Sequence, residues 1–189
     1  NNTINNNNIS LTRNGITLND AFNNRINTNV ITEYNGTGIS LNNSSNNRIM
    51  ENEITGLGGT APGFRSRGGI ALQPGSNSNQ IRYNNISGTR FSCVYLTQVS
   101  ENIIQDNVLT GANRGIRMVR SESIQIMDNE ISNSNDNGIR IEGSINNVIK
   151  ENTMSDSGNT GIHVMGIIVS GIPHPPENNL IKENHVFGS

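Results

Sequence analysis

Tyr95, Arg117, Arg140 and His163 stand 22, 23 and 23 residues apart. Each is third in a four-residue motif of small, apolar, variable, apolar: Cys93-Val94-Tyr95-Leu96, Gly115-Ile116-Arg117-Met118, Gly138-Ile139-Arg140-Ile141 and Gly161-Ile162-His163-Val164. If residues one interval apart become neighbours, these four form a column that could support removal of a proton next to a carboxylate, or hold an anionic chain without chemistry. Arginine neutralises the acid group and stabilises the developing enolate. A neutral His or an ionised Tyr takes the proton, and the other protonates a leaving oxygen or the opposite face. Two stacked arginines repel unless something anionic lies across them, so the expected ligand carries an acid group. Arg65, Arg67, Arg120 and Glu142 border the column and are the candidates for substrate binding.

Other chemistries find less support. Hydrolysis of a glycosidic bond needs two carboxyl groups about 5 to 9.5 Å apart, and beside the column only Glu142 projects from a strand, with Glu122 nearby in a turn. Glu51, Asp106, Asp128, Glu151 and Glu183 make a second column of acids, a potential oxygen cage for Ca²⁺, but Lys150 and Lys182 sit beside it and the expectation is a hydrated, salt-bridged face with no metal and no cofactor. His163, His174 and His185 lack the short paired spacing of a transition-metal site. Cys93 is a small packing residue without an evident partner base. Gly58-Gly59 and Gly68-Gly69 lack the Lys-Ser/Thr that follows in phosphate loops.

The elements that must position the column come from a repeat. Ile, two residues, Asn, one residue, then an aliphatic recurs eight times, at Ile4/Asn7/Ile9, Ile26/Asn29/Ile31, Ile49/Asn52/Ile54, Ile81/Asn84/Ile86, Ile104/Asn107/Leu109, Ile126/Asn129/Ile131, Ile149/Asn152/Met154 and Ile181/Asn184/Val186. Strict alternation of apolar and variable positions is a strand signature, and a fixed period near 22 residues is a solenoid signature. The prediction is an all-β parallel β-helix of about eight coils. Each coil has three short strands that stack into three parallel sheets around a narrow aliphatic core. Asn supplies about a fifth of the 189 residues. It is expected to take the left-handed corner between two strands and to stack there as an amide ladder. A core only a few side chains wide fits the absence of Trp and the 4% aromatic content.

Two intervals are longer by about nine residues, over Thr55 to Gly68 and Met165 to Asn179. Insertions are where solenoids keep function. If both fold toward the same face they wall a trough over the column. The net charge of −2 argues against a nucleic-acid partner, and no apolar run reaches the length of a membrane span. Neither end carries a capping helix, so the chain reads as a single β-helix domain, residues 1–189, of a longer protein or one that packs end to end.

On these repeats the chain resembles the right-handed parallel β-helix superfamily with the pectin-lyase-like fold. Its coils are most similar to those of mannuronan C5-epimerases and of periplasmic proteins of the nitrous-oxide-reductase maturation type. The resemblance implies that the Gly-Ile strands form the first sheet and that a catalytic groove lies upon it. It also implies an acidic, uronate-containing polysaccharide as partner, lyase or epimerase activity, and an extracellular or periplasmic location. A glycan-binding spike segment and a structural rod are the alternatives. Where polygalacturonases of this superfamily place an Asp pair, the chain has Phe91-Ser92. The epimerase Asp-Pro-His run has no counterpart, since Ile172-Pro173-His174-Pro175 falls in an insertion.

Overall fold

The computed structural model describes residues 1–56 and 68–188. Its strands form two eight-stranded parallel sheets and one of seven strands, plus a two-stranded ribbon. The predicted parallel β-solenoid is therefore observed, with seven coils contributing a strand to each of the three sheets and the last to two of them among the described residues. Register between coils is in step with the repeat: Ile4 pairs with Ile26, Ile26 with Ile49, Ile81 with Ile104 and Ile149 with Ile181. Inward residues at these positions are fully buried from Ile26 to Ile149, as are Ile39, Ile70, Val94, Ile116 and Ile139 of the seven-stranded sheet. Burying each such side chain contributes about 1.5–3 kcal/mol, and β-branched residues stacked on their own kind keep the strands extended. No helix among the described residues is long and apolar enough to cross a membrane.

The Asn ladder is present, and there are two of them. Asn7, Asn29, Asn52, Asn84, Asn107, Asn129, Asn152 and Asn184 form the first. The backbone N–H and the Nδ2 of each donate to the Oδ1 of the next, as in Asn52 to Asn84 at 3.0 and 2.9 Å. Nδ2 also donates to the carbonyl two residues back and to one a coil earlier, Met50 and Ile26 in the case of Asn52. Asn2, Asn24, Asn47, Asn79 and Asn102 form a second ladder at the entry to the next strand, which resumes at Asn147 and Asn179.

The left-handed corner belongs to a different residue than expected. It is the one before the ladder Asn: Asn6, Thr28, Glu51, Tyr83, Asp106, Asp128, Glu151 and Glu183 all have φ between 53° and 57°. The Asn amide spans that corner from inside, bonding the carbonyl on its far side. The coil imposes the left-handed turn whatever the side chain, at roughly 1–2 kcal/mol for a non-glycine residue, and the three-way amide offsets it. The outward acids at these corners are salt-bridged where Lys is adjacent, Lys150 to Glu151 at 2.8 Å and Lys182 to Glu183 at 3.4 Å.

The second insertion is a structured ribbon. Ile167–Val169 pairs antiparallel with Ile172–His174, and leaves the seven-stranded sheet at the end of its last strand, Thr160–Met165. The first insertion enters the same sheet before Gly68, and its residues 57–67 lie outside the described ones.

Candidate functional site

The four column residues come from consecutive strands of the seven-stranded sheet, Ser92–Thr97, Arg114–Val119, Asn137–Glu142 and Thr160–Met165. Register places Tyr95 beside Arg117, Arg117 beside Arg140 and Arg140 beside His163. Val94, Leu96, Ile116, Met118, Ile139 and Ile141 beside the first three are fully buried, which turns Tyr95, Arg117 and Arg140 outward, and register with Arg140 carries the same alternation to His163. The Arg117 guanidinium lies 5.6 Å from the centre of the Tyr95 ring, a cation–π contact.

The anion expected across the stacked arginines is supplied by the protein. Glu142, two residues on from Arg140, accepts a bidentate pair from Arg117, Nη2 to Oε2 at 2.8 Å and Nε to Oε1 at 3.2 Å. Its Oε1 also pairs with Arg140. Glu142 is 5% exposed; burial alone would raise its carboxyl, but the two guanidiniums outweigh that and hold it below the ordinary carboxylate range. Arg117 is raised in turn, since Glu142 outweighs the effect of its own burial. Glu142 is thus committed to the arginines. Sequence reasoning passed over two further members, Arg114 and Asp136. Arg114 meets Asp136 at 2.7 Å, and Arg140 reaches the same carboxylate at 3.5 Å. The in-register pair Arg114 and Asn137, with Asp136 preceding the latter, was the available signal. Burial and the neighbouring Arg140 and Arg117 lower the Arg114 guanidinium below its usual range, against the pull of Asp136. Three guanidiniums face two carboxylates, leaving one positive charge in excess on this strip. Arg140 Nη2 further contacts Met165 Sδ at 3.2 Å.

Tyr95 and His163 are three strand positions apart, about 14 Å at the usual strand spacing. They cannot serve as acid and base on one sugar ring, so the pairing expected from sequence divides into two halves, Tyr95 with Arg117 and Arg140 with His163. Arg120 lies elsewhere, in the turn that follows the strand Arg114–Val119. Arg65 and Arg67 fall outside the described residues.

The chain matches the family described as "Periplasmic copper-binding protein (NosD)" over residues 1–66 and 60–188. Copper takes Cys, Met and His ligands, and the residues present do not converge into such a set. Cys93 is fully buried, its thiol pushed up to about 12 by burial; Met165 Sδ is engaged by a guanidinium; and no three His, Cys, Asp or Glu among the described residues are grouped to hold a metal. No curated protein matches the sequence. Among solved structures, a variant of the periplasmic alginate epimerase AlgG superposes with a TM-score of 0.81 at 15% identity, over 94% of this chain and 49% of that one. The Dettilon tailspike protein gives 0.72 at 19% identity over 93% and 37%, and the alginate lyase from Paenibacillus sp. str. FPU-7 gives 0.64 at 16% over 97% and 75%. The chain spans about half the length of AlgG, and at these identities the likeness is one of fold. The coil repeat, the ladders and the family match over almost the whole sequence lead to one statement: the chain belongs to the periplasmic NosD family of parallel β-helix proteins.

Proposed function

We propose that the chain acts on an acidic polysaccharide laid along its seven-stranded sheet, as a lyase or C5-epimerase of uronate residues. The observation that carries this reading is the strip itself: one guanidinium charge in excess, pre-oriented by Glu142 and Asp136, with an imidazole one strand position away. The structural neighbours named for alginate chemistry support it. In this reading Arg140 receives the uronate carboxylate and His163 removes the C5 proton. The electron pair passes into the carboxylate as an enolate that Arg140 stabilises. In elimination that pair then expels the C4 oxygen, which takes a proton from the His163 imidazolium; in epimerisation water supplies a proton to C5 from the opposite face, and His163 gives its own up to solvent. Arg117 and Tyr95 hold the adjoining sugar. Polymannuronate, polyguluronate and pectate are the substrates to offer, with the unsaturated product followed by ultraviolet absorbance and epimerisation by NMR of the polymer. His163→Ala is expected to lower kcat by about 10²-fold or more with KM little changed, whereas Arg117→Ala is expected to act mainly on KM. Turnover that survives His163→Ala at full rate would remove His163 from the mechanism.

The 14 Å between Tyr95 and His163 favours a second reading, in which the strip binds an acidic glycan without transforming it. Saturable binding of these polymers, lost in Arg140→Ala, together with no product by either assay would select it.

A further inference from the structure

Beyond the sheet edge the coil carries a second recess that none of the chemistry above uses. It has a volume of about 500 Å³ and lies between the ribbon and the turns of three coils below it. That size falls within the usual range of small-molecule sites.

One side is the turn column Gln98, Arg120 and Gly143, all left-handed with φ of 52°, 45° and 51°. The other is a row linked by single parallel bridges, Ser100, Glu122, Ile145 and Glu177. The ribbon supplies the overhang through Pro173, His174 and Pro175. This wall is seated by the sequence beneath it. A Cβ on Gly143 would stand 2.9 Å from Ile167 Cγ1 and 3.0 Å from His174 Cβ, so the ribbon rests where the column loses its side chain.

The lining holds charged groups that the described residues leave unpaired. Arg120 Nε is buried without a hydrogen-bond partner. Arg120 and Glu122 both face the recess, yet the ion pairs of the described residues include neither. A guanidinium offers only donors and a carboxylate only acceptors. Set beside Val99 and Ile145 and under Pro173 of the ribbon, they match a ring with adjacent hydroxyls and an apolar C–H face. Glu122 and Glu177 outnumber Arg120, so a ligand carrying its own carboxylate is disfavoured here, the reverse of the strip on the sheet.

We infer that this recess is a second carbohydrate site, one that takes a neutral pyranose ring. Arg120 and Glu122 bind its hydroxyls, and the ribbon seated on Gly143 closes over it. The inference is independent of the reading of the sheet face.

Saturation-transfer NMR and calorimetry on the whole chain test it with maltose, cellobiose, mannobiose, lactose and chitobiose, and with the mannuronate disaccharide as the charged comparator. At least one neutral disaccharide is expected to bind, with a loss of tenfold or more in both Arg120→Ala and Glu122→Gln and no loss in Arg117→Ala. Arg120 lies in a turn and Glu122 is exposed, bridged to its neighbours through backbone alone, and circular dichroism checks that the variants are folded. Gly143→Val should also weaken binding by displacing the ribbon. No binding by any of the five, binding that survives Arg120→Ala, or stronger binding of the mannuronate disaccharide through Arg120 would each overturn the assignment. Loss of alginate activity or binding in Arg117→Ala, with the neutral sugar retained, separates this site from the strip.

Discussion

Glu142 shows how far a single carboxylate can set the character of a surface. It keeps Arg117 and Arg140 one strand spacing apart without mutual repulsion, and it does so from a position 5% exposed. Since its folded carboxyl is held below the ordinary range, the stability it contributes is present above the unfolded-state value and is lost as pH falls through the folded one. Glu142→Gln should therefore lower stability at neutral pH, by about 1.5–3 kcal/mol for hydrogen bonds to charged groups. The gap to wild type should narrow as pH drops below the carboxylate range. Urea unfolding at pH 7 and pH 3 measures both, and a gap that stays constant with pH would contradict the ion pairing described here. None of this was legible in the sequence. Periodicity placed Arg117, Arg140 and Glu142 on one outward face, but which carboxylate meets which guanidinium depends on side-chain reach, and a ligand was expected where the protein had its own acid.

At the scale of the strand and its corner, the repeat was readable where one residue type recurs at one place and obscure where types vary. Ile and Asn recur, so sheets and first ladder could be written down from the sequence. The left-handed corners could not, because Thr28, Glu51, Tyr83 and Asp106 have nothing chemical in common. The second ladder was in view as an Asn two residues before Ile26, Ile49, Ile81, Ile104, Ile149 and Ile181. It was missed because the row breaks at Ile124. The glycine before each outward strand has a packing reason: a Cβ on Gly69 would meet Ile86 Cγ2 at 2.3 Å, and on Gly115 would meet Ile131 Cγ2 at 2.3 Å. Cys93 stands in that glycine column at the coil whose facing residue is Leu109, which lacks the γ2 methyl. Leu109→Ile should then cost about 1–3 kcal/mol by overpacking, and the double variant Leu109→Ile with Cys93→Gly should recover most of it. Additive losses in the double-mutant cycle would refute that pairing.

Across the whole molecule, stability is a sum over neighbouring coils, and the ladders are the contacts common to most of them. Ile124 interrupts one: its N–H still donates to Asn147 Oδ1 at 2.9 Å, but Asn102 has no amide oxygen ahead of it. Placing Asn in a buried aliphatic site ordinarily costs several kcal/mol for lack of partners. Here the partners exist in the coils on either side, so Ile124→Asn is expected to change unfolding free energy by no more than about 1 kcal/mol. Ile104→Asn, in the true core column, should cost at least about 3 kcal/mol by the same reasoning. Equal losses in the two variants, measured by denaturant unfolding, would mean that the ladder does not propagate through that coil.

Wherever two ladder amides are neighbours, the amide-to-amide bond runs forward, from Nδ2 to the Oδ1 of the coil of higher residue number. The stack consequently has a sense, like a row of aligned bar magnets. A cut through a row leaves an amide donor on the lower-numbered side and an amide oxygen on the higher-numbered side, next to strand edges that offer both N–H and C=O groups. Along the rows two such ends are complementary only head to tail, so growth by coil addition has a built-in polarity, and a back-to-back join would set amide donor against amide donor.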